Sequence, residues 1–143
     1  MTEKLNYLKE SGAVFFPPAT SRALELANAA FQQMRASVLP KFFADFYLQY
    51  GGALLGDACV FPIEDKERPD RSYTIPGIVK INRDLAAFRT LRGKTVWGRN
   101  QMYVFSCDVL DNLYMHDVMT LQVLRKYGDL ASALTDCMLV GKI

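Results

Sequence analysis

Apolar residues recur at helical spacing in several stretches of this chain and at strand-like spacing in most of what lies between. The clearest helical stretch spans 39–52. Phe42, Phe43, Phe46, Tyr47 and Tyr50 form one broad face there, while Lys41, Asp45 and Gln49 mark the other. Pro40 suits the start of this helix, and Gly51-Gly52 offers the left-handed conformation that closes one. Upstream, Leu24, Ala27, Phe31 and Met34 predict a helix over Arg22 to Ala36, capped by Thr20 or Ser21. The short connection through Val38 predicts that these two helices pack side by side and antiparallel. Leu5 and Leu8 mark a shorter first helix, capped by Thr2 and ended at Gly12. At the other end, Leu130, Ala133, Leu134, Cys137 and Met138 fall at i, i+3, i+4, i+7 and i+8. They predict a closing helix opened by Gly128-Asp129 and stopped by Gly141.

Between the helices the pattern is that of strands. Ala13 to Phe16, broken by Pro17-Pro18, fits an extended segment on a sheet edge, and Ala58 to Phe61 a strand stopped by Pro62. Ile78-Val79-Lys80-Ile81 is predicted as a strand on its β-branched content, with Asn82 capping a helix that turns Leu85, Phe88 and Leu91 inward. Thr95 to Trp97 and Gln101 to Cys107 follow; the second is apolar at nearly every position and is expected to be covered on both faces. Asp108 to Asn112 supplies a turn, and Leu113 to Met115 the returning strand. In Met119 to Leu124, alternation places Met119, Leu121 and Val123 on the buried side. Segregated helices and strands predict an α+β fold. The expectation is a single domain over residues 1–143, a central, mostly antiparallel twisted meander flanked by N-terminal helices and a C-terminal helix.

Composition narrows the function classes. Half the residues are hydrophobic and 12% aromatic, enough for a core without covalent staples. With 17 basic and 15 acidic residues the formal charge is +2, which argues against a nucleic-acid partner or an anionic membrane surface. Cys59, Cys107 and Cys137 are odd in number and widely spaced, so they are read as buried thiols in a reducing compartment. The charged, amphipathic N-terminus resembles neither a signal peptide nor a membrane span, and a cytoplasmic location is expected. Glu64 to Arg71 is almost wholly charged and is read as a solvated loop, either a solubilising excursion or a partner contact.

Candidate chemistry is sparse. His116 is the only histidine and is placed in a surface turn; a thiolate pair with Cys107 is disfavoured, because the cysteine ends an apolar strand. The sequence holds no metal-ligand spacing, calcium loop or glycine-rich phosphate loop, so no metal or cofactor is expected. Asp108, Asp111 and Asp117 are read as turn formers. Trp97 is either a core residue or an aromatic anchor beside Arg99. The basic run Arg89, Arg92, Lys94 and Arg99 is read as a solvated face.

The Leu39-Pro40 start, aromatic helix and Gly51-Gly52 end resemble the hallmark of the SUKH superfamily, particularly its Smi/Knr-type branch. The likeness continues through the Gly98-to-Phe105 turn and strand with Asp108, through Tyr114 and Asp117, and through the closing helix from Asp129 to Met138. It implies a sheet flanked by helices, no catalysis, and binding to a protein partner. Many bacterial members are immunity proteins that block a cognate toxin, often a nuclease; others are regulatory modules. The expected function is therefore a protein-binding module acting as a monomer or weak homodimer. Glu64, Asp65 and Glu67 of the charged loop and Trp97, Arg99, Asn100 and Asp117 of the meander are its candidate contacts. A general regulatory or scaffolding domain is the alternative. A small-molecule binder with a pocket lined by Tyr73, Trp97 and Tyr103 is a third reading.

Overall fold

Five α-helices and nine strands make up the described part of the chain, residues 2–67 and 74–139 of a computed structural model. Helix α1 (Thr2–Glu10) buries Leu5 and Leu8, and the chain then forms β1 (Val14–Phe15), a two-residue strand at one sheet edge. Helix α2 (Ser21–Gln33) is capped by Thr20, whose hydroxyl accepts from the Ala23 amide at 3.0 Å, and it buries Leu24, Ala27 and Phe31. Helix α3 (Lys41–Gln49) buries Phe43, Phe46 and Tyr47, the centre of the aromatic face read from the sequence. These are followed by β2 (Ala53–Leu55), β3 (Ala58–Val60), β4 (Lys66–Glu67), β5 (Thr74–Ile75) and α4 (Ile78–Leu85). A 3₁₀ turn at Arg89–Leu91 leads to β6 (Lys94–Arg99), β7 (Tyr103–Asp108), β8 (Leu113–Asp117), β9 (Val123–Tyr127) and α5 (Leu130–Leu139). The result is an α+β fold.

Among the described residues, seven strands form one antiparallel sheet in the order β1-β2-β3-β6-β7-β8-β9, and β4 pairs with β5 as a separate ribbon. One face is aromatic. Phe43 of α3 lies 5.0 Å from Trp97, Trp97 lies 5.4 Å from Phe105, and Phe105 lies 6.3 Å from Tyr127. Trp97 occupies an irregularity in the β6–β7 register, where an extra residue bends the strand. Helix α5 closes this face against β3, β7 and β8. Its Asp136 accepts from the Tyr127 hydroxyl at 2.7 Å and pairs with Arg125 at 2.8 Å.

Several expectations are corrected. Helices α2 and α3 do not run side by side: α2 runs closest to α4, and α3 turns its aromatic face to the sheet. The glycine pair does not close α3 in the left-handed way, since the helix ends on an extended Tyr50. Instead Gly51 lies against the chain before α2, donating to the carbonyls of Phe16 and Pro17; a Cβ there would sit 2.3 Å from the Pro17 oxygen. Ile78 to Ile81 is the first turn of α4 and not a strand. Its β-branched content favours a strand, but the Asn82 side chain, reaching Val96 from this helix, holds the stretch in the helical state. Asn82 therefore lies inside that helix rather than capping it. Strand β9 begins at Val123, so Met119 stands in a turn, 87% exposed, instead of on a buried face. Gly141 lies outside the described residues, as do residues 68–73, which include the end of the charged loop; its Glu64, Asp65 and Glu67 are exposed.

Candidate docking surface

Helix α4 is fastened to the sheet by its own polar residue. Strand β3 pairs with β6 only at Gly98 and Arg99, so Val96, paired with Ser106 of β7 on one side, has no strand on the other. Buried Asn82 fills that place. Its Oδ1 accepts from the Val96 amide at 2.7 Å, and its Nδ2 donates to the Val96 carbonyl at 2.8 Å and to the Ile78 carbonyl at 2.9 Å. The side-chain amide thus continues the ladder where β3 stops, satisfying backbone groups that burial would otherwise penalise. The start of α4 is held by Asp65, whose Oδ1 accepts from the Gly77 amide at 2.7 Å, and by the Pro62 carbonyl, which accepts from Ile78. One of the residues expected to contact a partner therefore positions the helix.

So placed, α4 forms one wall of an apolar groove of about 290 Å³. Phe61, Val96 and Val104 come from the sheet side, Ile81 and Leu85 from α4, and Val118 and Leu121 from the β8–β9 turn. Phe88, 50% exposed, and Met119, 87% exposed, stand at its mouth; Asp84 and Arg99 are the charged groups on its rim. Apolar side chains this exposed and this close together mark a surface that gains by being covered.

Two expected contact residues serve to build this surface. Asp117 takes the amides of Met119 and Thr120 on Oδ1 at 2.8 and 2.9 Å, which forms the turn that lifts Met119 into solvent. Those hydrogen bonds hold its carboxyl below the usual range. Asn100 is buried; its Oδ1 accepts from Met102 and Tyr103, and its Nδ2 donates to the Cys137 carbonyl at 3.2 Å. It shapes the β6–β7 turn next to Arg99 and does not itself face a partner. Trp97 is fully buried, so the interface-anchor reading gives way to the core reading. Arg99 is exposed and on the groove rim. Glu64 lies elsewhere, in a shallow depression with Lys66, Pro17 and Thr20 that shares no residue with the groove. The structure brings Arg99 and Asp117 to one surface and leaves Glu64 off it. Exposed Glu67 is on β4, opposite Thr74. Of the pocket expected from Tyr73, Trp97 and Tyr103, Trp97 is inside the core and lines no surface, and Tyr73 lies outside the described residues.

His116 is not in a surface turn. It is fully buried on β8, with Nδ1 2.9 Å from the Leu121 carbonyl and Nε2 2.7 Å from the Ser106 hydroxyl. A carbonyl only accepts, so Nδ1 carries the proton and Nε2 accepts from Ser106. Burial, with a smaller contribution from Lys94, holds the imidazole below its ordinary 6.5. The pair has the hydrogen bond of a serine nucleophile and its base, yet both side chains are sealed and neither lines the groove. Cys107 points to the opposite face of β7 from Ser106, and burial pushes its thiol well up, so no cysteine–histidine pair forms. Burial raises Asp108, but hydrogen bonds from Tyr114, Asn112 and Leu110 outweigh it and hold this turn carboxylate low. Among the described residues no group of three or more histidines, cysteines and carboxylates is placed to hold a metal, and no helix is long and apolar enough to cross a membrane.

The sequence pattern missed the groove because it assigned Phe88 and Met119 to buried faces. Signals were present: Phe88 follows Ala86-Ala87 into a basic run, and Met119 follows an aspartate able to form a turn. No protein-family model matches the chain, and no curated protein matches it in sequence.

Proposed function

We propose that the protein is a non-catalytic protein-binding module of the immunity type, acting in the cytoplasm by covering a toxin domain. The observation that supports it is the apolar groove between α4 and the β8–β9 turn, with Phe88 and Met119 held half or more exposed at its mouth. Exposed aromatic and methionine side chains around a shallow apolar floor, rimmed by an arginine, are the residue types that anchor protein interfaces. The sealing of Ser106 and His116 is in keeping with this, since a nucleophile without access has no substrate to attack.

The test is co-expression with a candidate toxin domain taken from the genes neighbouring this one. The wild-type chain should rescue growth and co-purify with the toxin, while Met119→Glu should do neither and stay folded. If the wild-type chain neither protects nor forms a complex, the immunity reading fails. If Met119→Glu and Phe88→Glu both protect fully, binding lies on another face.

A further inference from the structure

We propose that the partner segment covering this groove is acidic polypeptide, whose apolar side chains fill the groove while its carboxylates reach a cationic hollow beside it. The proposal rests on the protein-binding reading above and names the chemistry of what is bound. The hollow, of about 410 Å³, lies between the end of α2, α4 and the start of β6, and Leu85 lines both it and the groove. Arg35, Arg92 and Lys94 are in its walls, and among the described residues no carboxylate is. Nor does any of the three, or Arg99 on the groove rim, form an ion pair with a described residue. The one acid on the groove, Asp84, is engaged by Lys80 at 3.1 Å.

Cations gathered about one hollow raise each other's energy, and an incoming anion relieves it. Lys94 is half-buried with its Nζ 5.3 Å from the Tyr114 ring centroid, a contact that leaves the charge in place. Arg35 follows the end of α2 at φ 59°, the left-handed conformation that closes a helix, and so projects from the turn after it.

The adjoining groove decides what kind of anion fits. Inorganic phosphate would fill the hollow and leave the groove exposed. A single-stranded nucleic acid stacks successive bases on aromatic platforms, and Phe88 is the one exposed aromatic ring at the groove; a duplex binds through phosphates alone and would leave the apolar groove uncovered. Polypeptide with alternating acidic and apolar side chains satisfies both halves across Leu85. A toxin bound here presents an acidic face, unlike the basic cleft with which a nuclease holds its substrate.

The experiment is selection of a displayed random-peptide library on the full-length protein, with affinities of the selected peptides measured for the wild type, Arg92→Glu, Arg35→Asn and Met119→Glu. The altered residues are exposed, and circular dichroism confirms that each variant is folded. Selected peptides should combine Asp or Glu with Leu, Met or Phe. Arg92→Glu should weaken them about tenfold or more, Met119→Glu likewise, and added salt should weaken them further. Neutral or basic peptides that lose binding in Met119→Glu but not in Arg92→Glu overturn the acidic partner and leave the protein-binding reading standing. Peptides indifferent to both variants, or no selected peptide at all, overturn both. Binding of inorganic phosphate or of a labelled oligonucleotide that depends on Arg92 and excludes the selected peptides overturns the polypeptide assignment.

Discussion

Replacing Asn82 by alanine tests how α4 is held, and with it the wall of the groove. The substitution removes the three hydrogen bonds of the side-chain amide. The Ile78 carbonyl has its place in the helix, so the loss there is small. Val96 is different: it is 1% exposed, and both its amide and its carbonyl face the position that Asn82 fills. Each buried backbone group left without a partner costs about 1–3 kcal/mol, so the pair costs about 4 kcal/mol. For a chain of this size that lowers the melting temperature by roughly 8–16 °C. Urea unfolding followed by the fluorescence of Trp97, the single tryptophan, measures it directly. The midpoint should fall with an unchanged slope, because the surface exposed on unfolding is the same. Asn82→Asp adds a sign. An ionised carboxylate keeps the bond from the Val96 amide but faces the two carbonyls, so this variant is destabilised at neutral pH and should recover part of the loss on acidification, when the protonated acid donates. A loss for Asn82→Ala below about 1 kcal/mol, or no recovery of Asn82→Asp in acid, refutes the view that this amide stands in for a strand.

Three further outcomes are expected. Gly51→Ala places a Cβ 2.3 Å from the Pro17 carbonyl oxygen, a backbone atom that no rotamer change can move, and should destabilise by about 3 kcal/mol or prevent folding; a thermal melt within a few degrees of wild type rules out the close approach. His116 is held below its ordinary 6.5, so the unfolded chain takes up a proton that the folded one refuses. Its contribution is complete above that value and is lost as pH falls through 6.5 towards the folded value, by up to about 1.4 kcal/mol per pH unit; His116→Gln should flatten this part of the stability–pH curve, and an unchanged slope locates the effect elsewhere. Met119→Glu should alter stability by no more than about 0.5 kcal/mol, because the side chain is in solvent; a larger loss in urea unfolding means that Met119 packs, and that the groove mouth is not free.

Elements whose pattern admits one answer are legible from the chain alone. Helix α3 carries four aromatics between a proline and two glycines, and no strand could bury Phe43, Phe46 and Tyr47 together. The stripe of α5 and the continuous apolar run of β7 are legible for the same reason: Ala133, Leu134, Cys137 and Met138 repeat at helical spacing, and Val104 to Cys107 need cover on both sides. Segregation of such elements is enough for an α+β fold. Tertiary structure decided what each face meets, which local period does not encode. Ile78 to Ile81 became helix because Asn82 completes the β6 ladder, a pairing across fourteen residues that propensity does not register. His116 was drawn inside because Ser106 and the Leu121 carbonyl are there to satisfy both ring nitrogens. Phe88 and Met119 read as core residues, yet the turns that carry them leave them exposed around an open groove. Apolar character tells that a side chain gains by being covered; only the folded chain shows whether the cover comes from within or is left for a partner.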